Sequence, residues 1–198
     1  RPSRPPETPR PRPPVQGIFA QRPLEVDPAG TIPTVTVRSA SFHPLLYRKR
    51  VARTEGARPG DLVAVYGPDD KVFGYGLYNP RSEIAVRVLF HGPDLPGAPR
   101  WRQKLEAAVA LRRDLLKIPE TSDACRLIHA EGDGLAGLVV DRYGDVLSAE
   151  VFSLGMYQRA EALLAELAPL CGAKHTLIQP SPQFLSQEGA EPPTLASP

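Results

Sequence analysis

The strongest electrostatic feature of the sequence is Tyr47-Arg48-Lys49-Arg50, with Arg53 close behind. Three consecutive cations beside an aromatic ring suit phosphate contact combined with base stacking. The same run fits a solvated helix end, since cations are favoured near a helix C-terminus. A second group, Gly132-Asp133-Gly134-Leu135-Ala136-Gly137, has the spacing G-x-G-x-x-G and follows a strand-like run. A dinucleotide site needs a helix after those glycines. The alternating run Leu138-Val139-Val140-Asp141 follows instead, so no helix N-terminus would face a pyrophosphate. The group is read as a structural, glycine-rich hairpin connection. It also fails as a calcium loop, because aligning Gly134 with the loop's invariant glycine puts His129 where the first carboxylate is required. Cys125 and Cys171 each have a histidine four residues on, His129 and His175. On a strand that offset shares a face but separates the side chains by roughly 13 Å, too far for proton transfer. Both cysteines read as buried free thiols. His43, His91, His129 and His175 are scattered, which does not support a zinc site. Asp69-Asp70 falls in a turn. No set of base, nucleophile and oxyanion donors can be assembled, so no catalytic residue is assigned.

The elements that must hold these groups follow from periodicity. Thr34–Arg38 alternates as a half-buried strand does. Asp61–Tyr66, Val72–Tyr78 and Ile84–Phe90 are further apolar runs, separated by Pro59-Gly60, by Gly67-Pro68-Asp69-Asp70 and by Asn79-Pro80. His43–Arg50 is expected to make a short helix entering after Pro44. Short strands at close spacing with Gly/Pro turns favour a small β-barrel. From residue 100 the period changes: Trp101, Leu105, Val109, Leu111, Leu115, Leu116 and Ile118 recur as on an amphipathic helix, stopped by Pro119. Strand-like runs at 125–130, 137–141 and 145–152 come next, then a helical pattern over 156–171 ended by Gly172. A last strand covers 174–179. The back half therefore reads helix, strands, helix, strand, and residues 180–198 show no element.

Composition bounds the function. Of 198 residues, 41% are hydrophobic and 23% charged, which is ordinary globular chemistry. Ten of the 24 prolines lie in residues 1–33, which reads as a disordered tail with P-x-x-P spacings. No apolar run is long enough for a membrane-spanning helix, and no signal peptide is visible. Two cysteines exclude a disulfide-dense scaffold. Residues 34–92 carry nine Lys+Arg against five acids, and residues 93–198 carry ten against fourteen. A basic front half joined to an acidic back half directs any polyanion contact to the front. The chain begins at Arg1 and its only methionine is Met156, so the expectation is a trimmed product or a fragment.

Three stretches carry a family resemblance. His43-Pro44-Leu45-Leu46-Tyr47 resembles the opening of a PUA (pseudouridine synthase and archaeosine transglycosylase) domain, with Leu45-Leu46 in place of Trp-Val. Asn79 to Leu89 is similar to the end of that domain in bacterial large-subunit ribosomal RNA methyltransferases acting on cytosine C5. Arg126 to Gly144 resembles the same group's R-L-I-x-G-E-x-D-G-L-P-G-L-x-V-D-x-Y-G signature, with Ala130 and Ala136 replacing a glycine and a proline. The resemblance implies an α+β fold: a PUA-like RNA-binding β-barrel at 34–92, then an EEHEE-type (strand–strand–helix–strand–strand) domain at 93–185. The proline-rich tail of 1–33 precedes them, and 186–198 would be a linker toward a methyltransferase domain absent from these residues. It further implies S-adenosylmethionine for the full-length parent but no cofactor in this chain. The implied partner is ribosomal RNA, with a homodimer allowed, no membrane, and a cytoplasmic setting. The expected RNA contacts are Arg48, Lys49, Arg50, Arg53 and Arg81 for phosphates, with Tyr47 and Tyr78 stacking. The alternative is a non-catalytic protein-interaction or dimerisation module without RNA affinity.

Overall fold

The computed structural model describes residues 17–25, 30–39 and 41–189. The proline-rich residues 1–16 and the last nine residues lie outside that range, and with them most of the expected tail and linker.

The front half is a curled sheet of six strands: β1 (Thr34–Val37), β2 (Leu45–Tyr47), β3 (Val51–Glu55), β4 (Leu62–Tyr66), β5 (Val72–Tyr78) and β6 (Ile84–His91). Their order across the sheet is β2-β6-β5-β4-β1-β3. All neighbours are antiparallel except β1 and β4, which run parallel. The two outer strands, β2 and β3, are consecutive in the chain and are joined by a single 3-10 turn, Arg48–Arg50. Three residues span only about 10 Å even when extended, so the sheet must curl until its edges almost meet. The expected helix after Pro44 is thus a correction: β2 pairs with β6 from Leu45 to Tyr47, and only the basic triplet is helical. Cross-strand pairing has overridden the local pattern there. Gly74 and Gly76 permit the tight curl. A Cβ on Gly76 would lie 2.5 Å from the Arg87 carbonyl oxygen, and one on Gly74 would lie 2.6 Å from that of Phe90.

Strand β4 shows how the halves join. Val63 and Val65 point into the barrel with Val35, Val37, Leu46, Val86 and Val88. Leu62 and Ala64 point the other way and share a core with Trp101, Leu105 and Leu138 of the back half. Both faces of the strand are covered, so its residues read as a continuous apolar run.

The back half begins with α1 (Ala98–Ala110), continues through β7 (Ala124–His129), β8 (Leu138–Tyr143) and β9 (Val146–Val151), then α2 (Leu154–Tyr157), α3 (Ala160–Cys171), β10 (His175–Pro180) and α4 (Phe184–Glu188). Its sheet has the order β10-β9-β8-β7, antiparallel except that β10 runs parallel to β9 after the α3 crossover. The buried stripe of α1 (Trp101, Leu105, Ala108, Val109) and that of α3 (Leu163, Leu164, Leu167) share this core. Phe90 of β6 meets Trp101 edge-to-face at 5.0 Å. The result is a mixed α+β protein, as the sequence pattern indicates.

Three expectations change. Helix α1 passes into a wider π-helical turn at Leu111–Leu115, with the Leu116 amide donating to the Leu111 carbonyl at 2.9 Å. The extra residue rotates the helix face, leaving Leu115 and Leu116 74% and 56% exposed rather than buried. Residues 17–25, placed in the expected tail, instead pack on the back half: Leu24 is buried, and Phe19 meets Tyr157 edge-to-face at 5.6 Å. Helix α4 occupies residues expected to lack structure, and its Phe184 and Glu188 are buried.

Candidate nucleic-acid interface

The basic triplet is the turn that closes the barrel, and it is pinned from two sides. The Arg48 amide donates to the Glu83 carbonyl at 2.8 Å, and the Arg38 amide donates to the Arg50 carbonyl at 2.9 Å. None of the three residues is buried. A rigid backbone therefore presents three cations to solvent at the seam of the sheet.

The cations are not equivalent. Arg48 forms an exposed ion pair with Glu83. Arg53, on the edge strand β3, lies 3.7 Å from Glu55 and 3.6 Å from Asp70, and donates to Thr36 Oγ1 at 3.2 Å. Lys49, Arg50 and Arg81 have no ion-pair partner among the described residues. Tyr47 is 45% exposed and available for stacking. Tyr78 is not: it belongs to the barrel core with only 7% of its surface exposed. Burial raises its hydroxyl pKa, with Thr54 acting in the opposite sense. The expectation that Tyr78 stacks on bases is corrected, because alternation along β5 turns its ring inward.

Tyr47, Arg48 and Arg81 line a cleft of about 570 Å³ between the two halves. Its other wall comes from the back half: Glu131, Gly137, Val139 and Phe152, with Ser186 and Gln187 of α4. Lys49 and Arg50 adjoin it in sequence, while Arg53 lies along β3. Arg87 contributes to the lining and was missed by the sequence reading. It is an arginine inside the apolar run Ile84–Phe90, and such a residue in a buried strand is itself a signal, since unpaired charges are rarely buried. Its Nη2 donates to Glu188 Oε1 at 3.3 Å and to the Phe152 carbonyl at 3.4 Å. Glu188 is 1% exposed and also accepts from Asn79 Nδ2 and the Leu154 amide, each at 2.9 Å. This one carboxylate ties α4 to β6, to the β5–β6 turn and to the start of α2.

The glycine-rich run is structural. After a 3-10 turn at Ala130–Asp133 the chain enters β8, not a helix. Asp133 receives a bidentate pair from Arg112, at 2.6 and 2.9 Å, and the His129 amide at 2.6 Å. Burial pushes its carboxyl up, but Arg112 and the His129 amide outweigh that and hold it below the usual range. Cys125 is half-buried, and burial raises its thiol pKa above the ordinary value, which disfavours the nucleophilic thiolate. Among the described residues there is no group of three or more His, Cys, Asp or Glu that could hold a metal ion, and no helix is long and apolar enough to cross a membrane.

Residues 35–90 match the family described as the PUA-like domain. The front barrel is a PUA-like domain. The chain carrying it is homologous to proteins named ribosomal RNA large subunit methyltransferase. The Photobacterium profundum enzyme I is 34% identical over 128 residues, 63% of this chain and 32% of the relative. The Deinococcus radiodurans protein is 35% identical over 128 residues, 62% and 31%. The Alteromonas mediterranea enzyme I is 31% identical over 154 residues, 77% and 38%. The chain thus spans about one third of the length of these relatives. A candidate SAM-dependent methyltransferase from Streptococcus mutans shares the fold, with a TM-score of 0.58 and 14% identity over 73% of this chain and 41% of that one. A candidate methyltransferase complexed with SAH matches at 0.57 and 14%, covering 74% and 40%. The glycine-rich run beside the PUA-like domain does not fit such a cofactor. The glycine run leads into β8, so it offers no helix N-terminus, and Asp133 is occupied by Arg112.

Proposed function

We propose that this chain is the RNA-binding, substrate-positioning portion of an S-adenosylmethionine-dependent large-subunit ribosomal RNA methyltransferase, and that methyl transfer is performed by residues outside it. Formation of 5-methylcytosine by the parent and a cytoplasmic setting belong to the same reading. The domains are the PUA-like barrel at 34–92 and the α+β unit at 93–185. One observation carries it: the turn closing the PUA-like barrel presents Lys49 and Arg50 with no acidic partner among the described residues, next to half-exposed Tyr47 and the mouth of a cleft that also holds Arg81. Unpaired cations around an aromatic are what a nucleic-acid strand requires for phosphate contact and stacking. Arg48 and Arg53 stand behind them, each already held by a carboxylate.

The test is RNA affinity against salt. A structured ribosomal RNA fragment should bind, and log K should fall linearly with log salt. Lys49→Glu with Arg50→Glu should weaken binding and lower the slope by about 1.4–1.8, the loss of two phosphate contacts. Salt-independent or absent binding refutes the reading. Titrating S-adenosylmethionine into the chain should release no heat.

A second reading, a protein-interaction or dimerisation module, is favoured by the exposed Leu115-Leu116 pair. It predicts self-association in sedimentation experiments that Leu115→Lys abolishes.

A further inference from the structure

The interlobe cleft has chemistry unlike that of the exposed turn beside it. Arg48, Arg81 and Arg87 line it, but so do Glu83 and Glu131, and Glu188 lies behind Arg87. Its cations and carboxylates balance, so it is poorly suited to a phosphate. Balanced donors and acceptors flanked by Ile84, Val139 and Phe152 suit a neutral, flat, polar-edged group. The volume, about 570 Å³, lies in the range of small-molecule sites, ~300–1,000 Å³.

Arg87 is the second, independent pointer. Its side chain is 7% exposed, and only Nη2 has partners among the described residues. Guanidinium has five N–H donors in a fixed fork. The remaining donors, on Nε and Nη1, are not among the buried atoms sealed off without a partner. These donors keep some access to solvent, and Arg87 lines the cleft. A fixed, buried arginine with unused donors reads an acceptor edge, as arginine does with base edges in nucleic-acid complexes. Glu131, on the opposite wall, has no ion-pair partner among the described residues and would accept from an amino group.

Resting on the RNA-binding reading above, we infer that the cleft receives one unpaired nucleobase of the bound RNA, a base presenting both an acceptor edge to Arg87 and an exocyclic amino group to Glu131. The rim cations Lys49, Arg50 and Arg81 hold the flanking phosphates while Tyr47 stacks at the mouth. Uracil lacks the amino group and is discriminated against.

The test uses the full chain and four RNA hairpins that differ only at a single bulged position: cytosine, adenine, uracil or abasic. All carry the same phosphates. The cytosine and adenine hairpins should bind about tenfold more tightly than the abasic one, within the range of base stacking and readout. Uracil should fall near the abasic hairpin. Ser186→Trp fills the cleft from an exposed position on α4 and should erase the base-dependent gain while leaving abasic binding unchanged. Arg87→Lys keeps the charge facing Glu188 but loses the fork, and should narrow the gap between the cytosine and abasic hairpins. Uracil binding as tightly as cytosine, or a base preference that survives Ser186→Trp, overturns the inference while the RNA-binding reading stands. If no hairpin binds, both fall.

Discussion

The carboxylate of Glu188 offers the sharpest test of how the two halves are held together. It is 1% exposed and faces three donors: Arg87 Nη2 at 3.3 Å, and Asn79 Nδ2 and the Leu154 amide at 2.9 Å each. Glu188→Ala removes the acceptor and strands a guanidinium that is itself 7% exposed. Breaking one side of a buried pair costs about 3–5 kcal/mol. The two stranded neutral donors add to this, but not fully, because water can enter the space left by the side chain. A loss of about 3–5 kcal/mol is therefore expected, or a fall in Tm of about 6–20 °C at the ~2–4 °C per kcal/mol typical of this size. Urea unfolding followed by tryptophan fluorescence reports it well, since Trp101, the only tryptophan, is fully buried in the shared core. Arg87→Met combined with Glu188→Leu should recover part of the loss, because a buried pair replaced by apolar residues of similar volume is often near neutral. A Glu188→Ala midpoint corresponding to less than about 1 kcal/mol would refute the reasoning. It would mean that α4 is not docked between the halves and that the carboxylate remains in water.

Asp133 predicts a pH dependence. Arg112 and the His129 amide hold its carboxyl below the ordinary value against the effect of burial. The pair thus stabilises the fold above the unfolded carboxylate pKa of about 4, and that stability is lost as pH falls through the lower folded value. Asp133→Asn should lower stability at pH 7 by about 2–3 kcal/mol and flatten the acid limb of a stability–pH curve; an unchanged acid limb counts against it. Gly76→Ala places a methyl 2.5 Å from the Arg87 carbonyl oxygen and should cost about 1–3 kcal/mol; a neutral result in thermal melts would show that the barrel is less tightly curled. Tyr47→Ala should reduce RNA affinity by about fivefold or more without moving Tm, whereas Tyr78→Ala should lower Tm first, since its ring fills the barrel core. Equal effects of the two substitutions on binding at matched stability would contradict that assignment.

Local pattern carried much of the fold. Alternation over 34–38, short apolar runs over 61–66, 72–78 and 84–90 bounded by turn residues, and helical spacing from Trp101 to Val109 specify elements because side-chain direction and run length distinguish strand from helix. The exposure of the basic triplet was legible on other grounds: three adjacent cations cannot be buried together, so they must face water wherever the chain goes. The glycine run was legible as a connection because the residues after it alternate. What tertiary structure decided is everything that depends on partners distant in the chain. Leu45–Tyr47 is a strand only because β6 is there to pair with it. Arg48 and Arg53 gain their long-range ion-pair partners only because the fold brings Glu83 and Asp70 against them. Tyr78 faces inward because the sheet curls. Arg87 meets Glu188 across 101 positions of sequence, a distance no window of periodicity can reach. Alternation fixes which way a side chain points along its own strand; closure of the sheet and docking of the second half decide whether that direction is core, cleft or solvent.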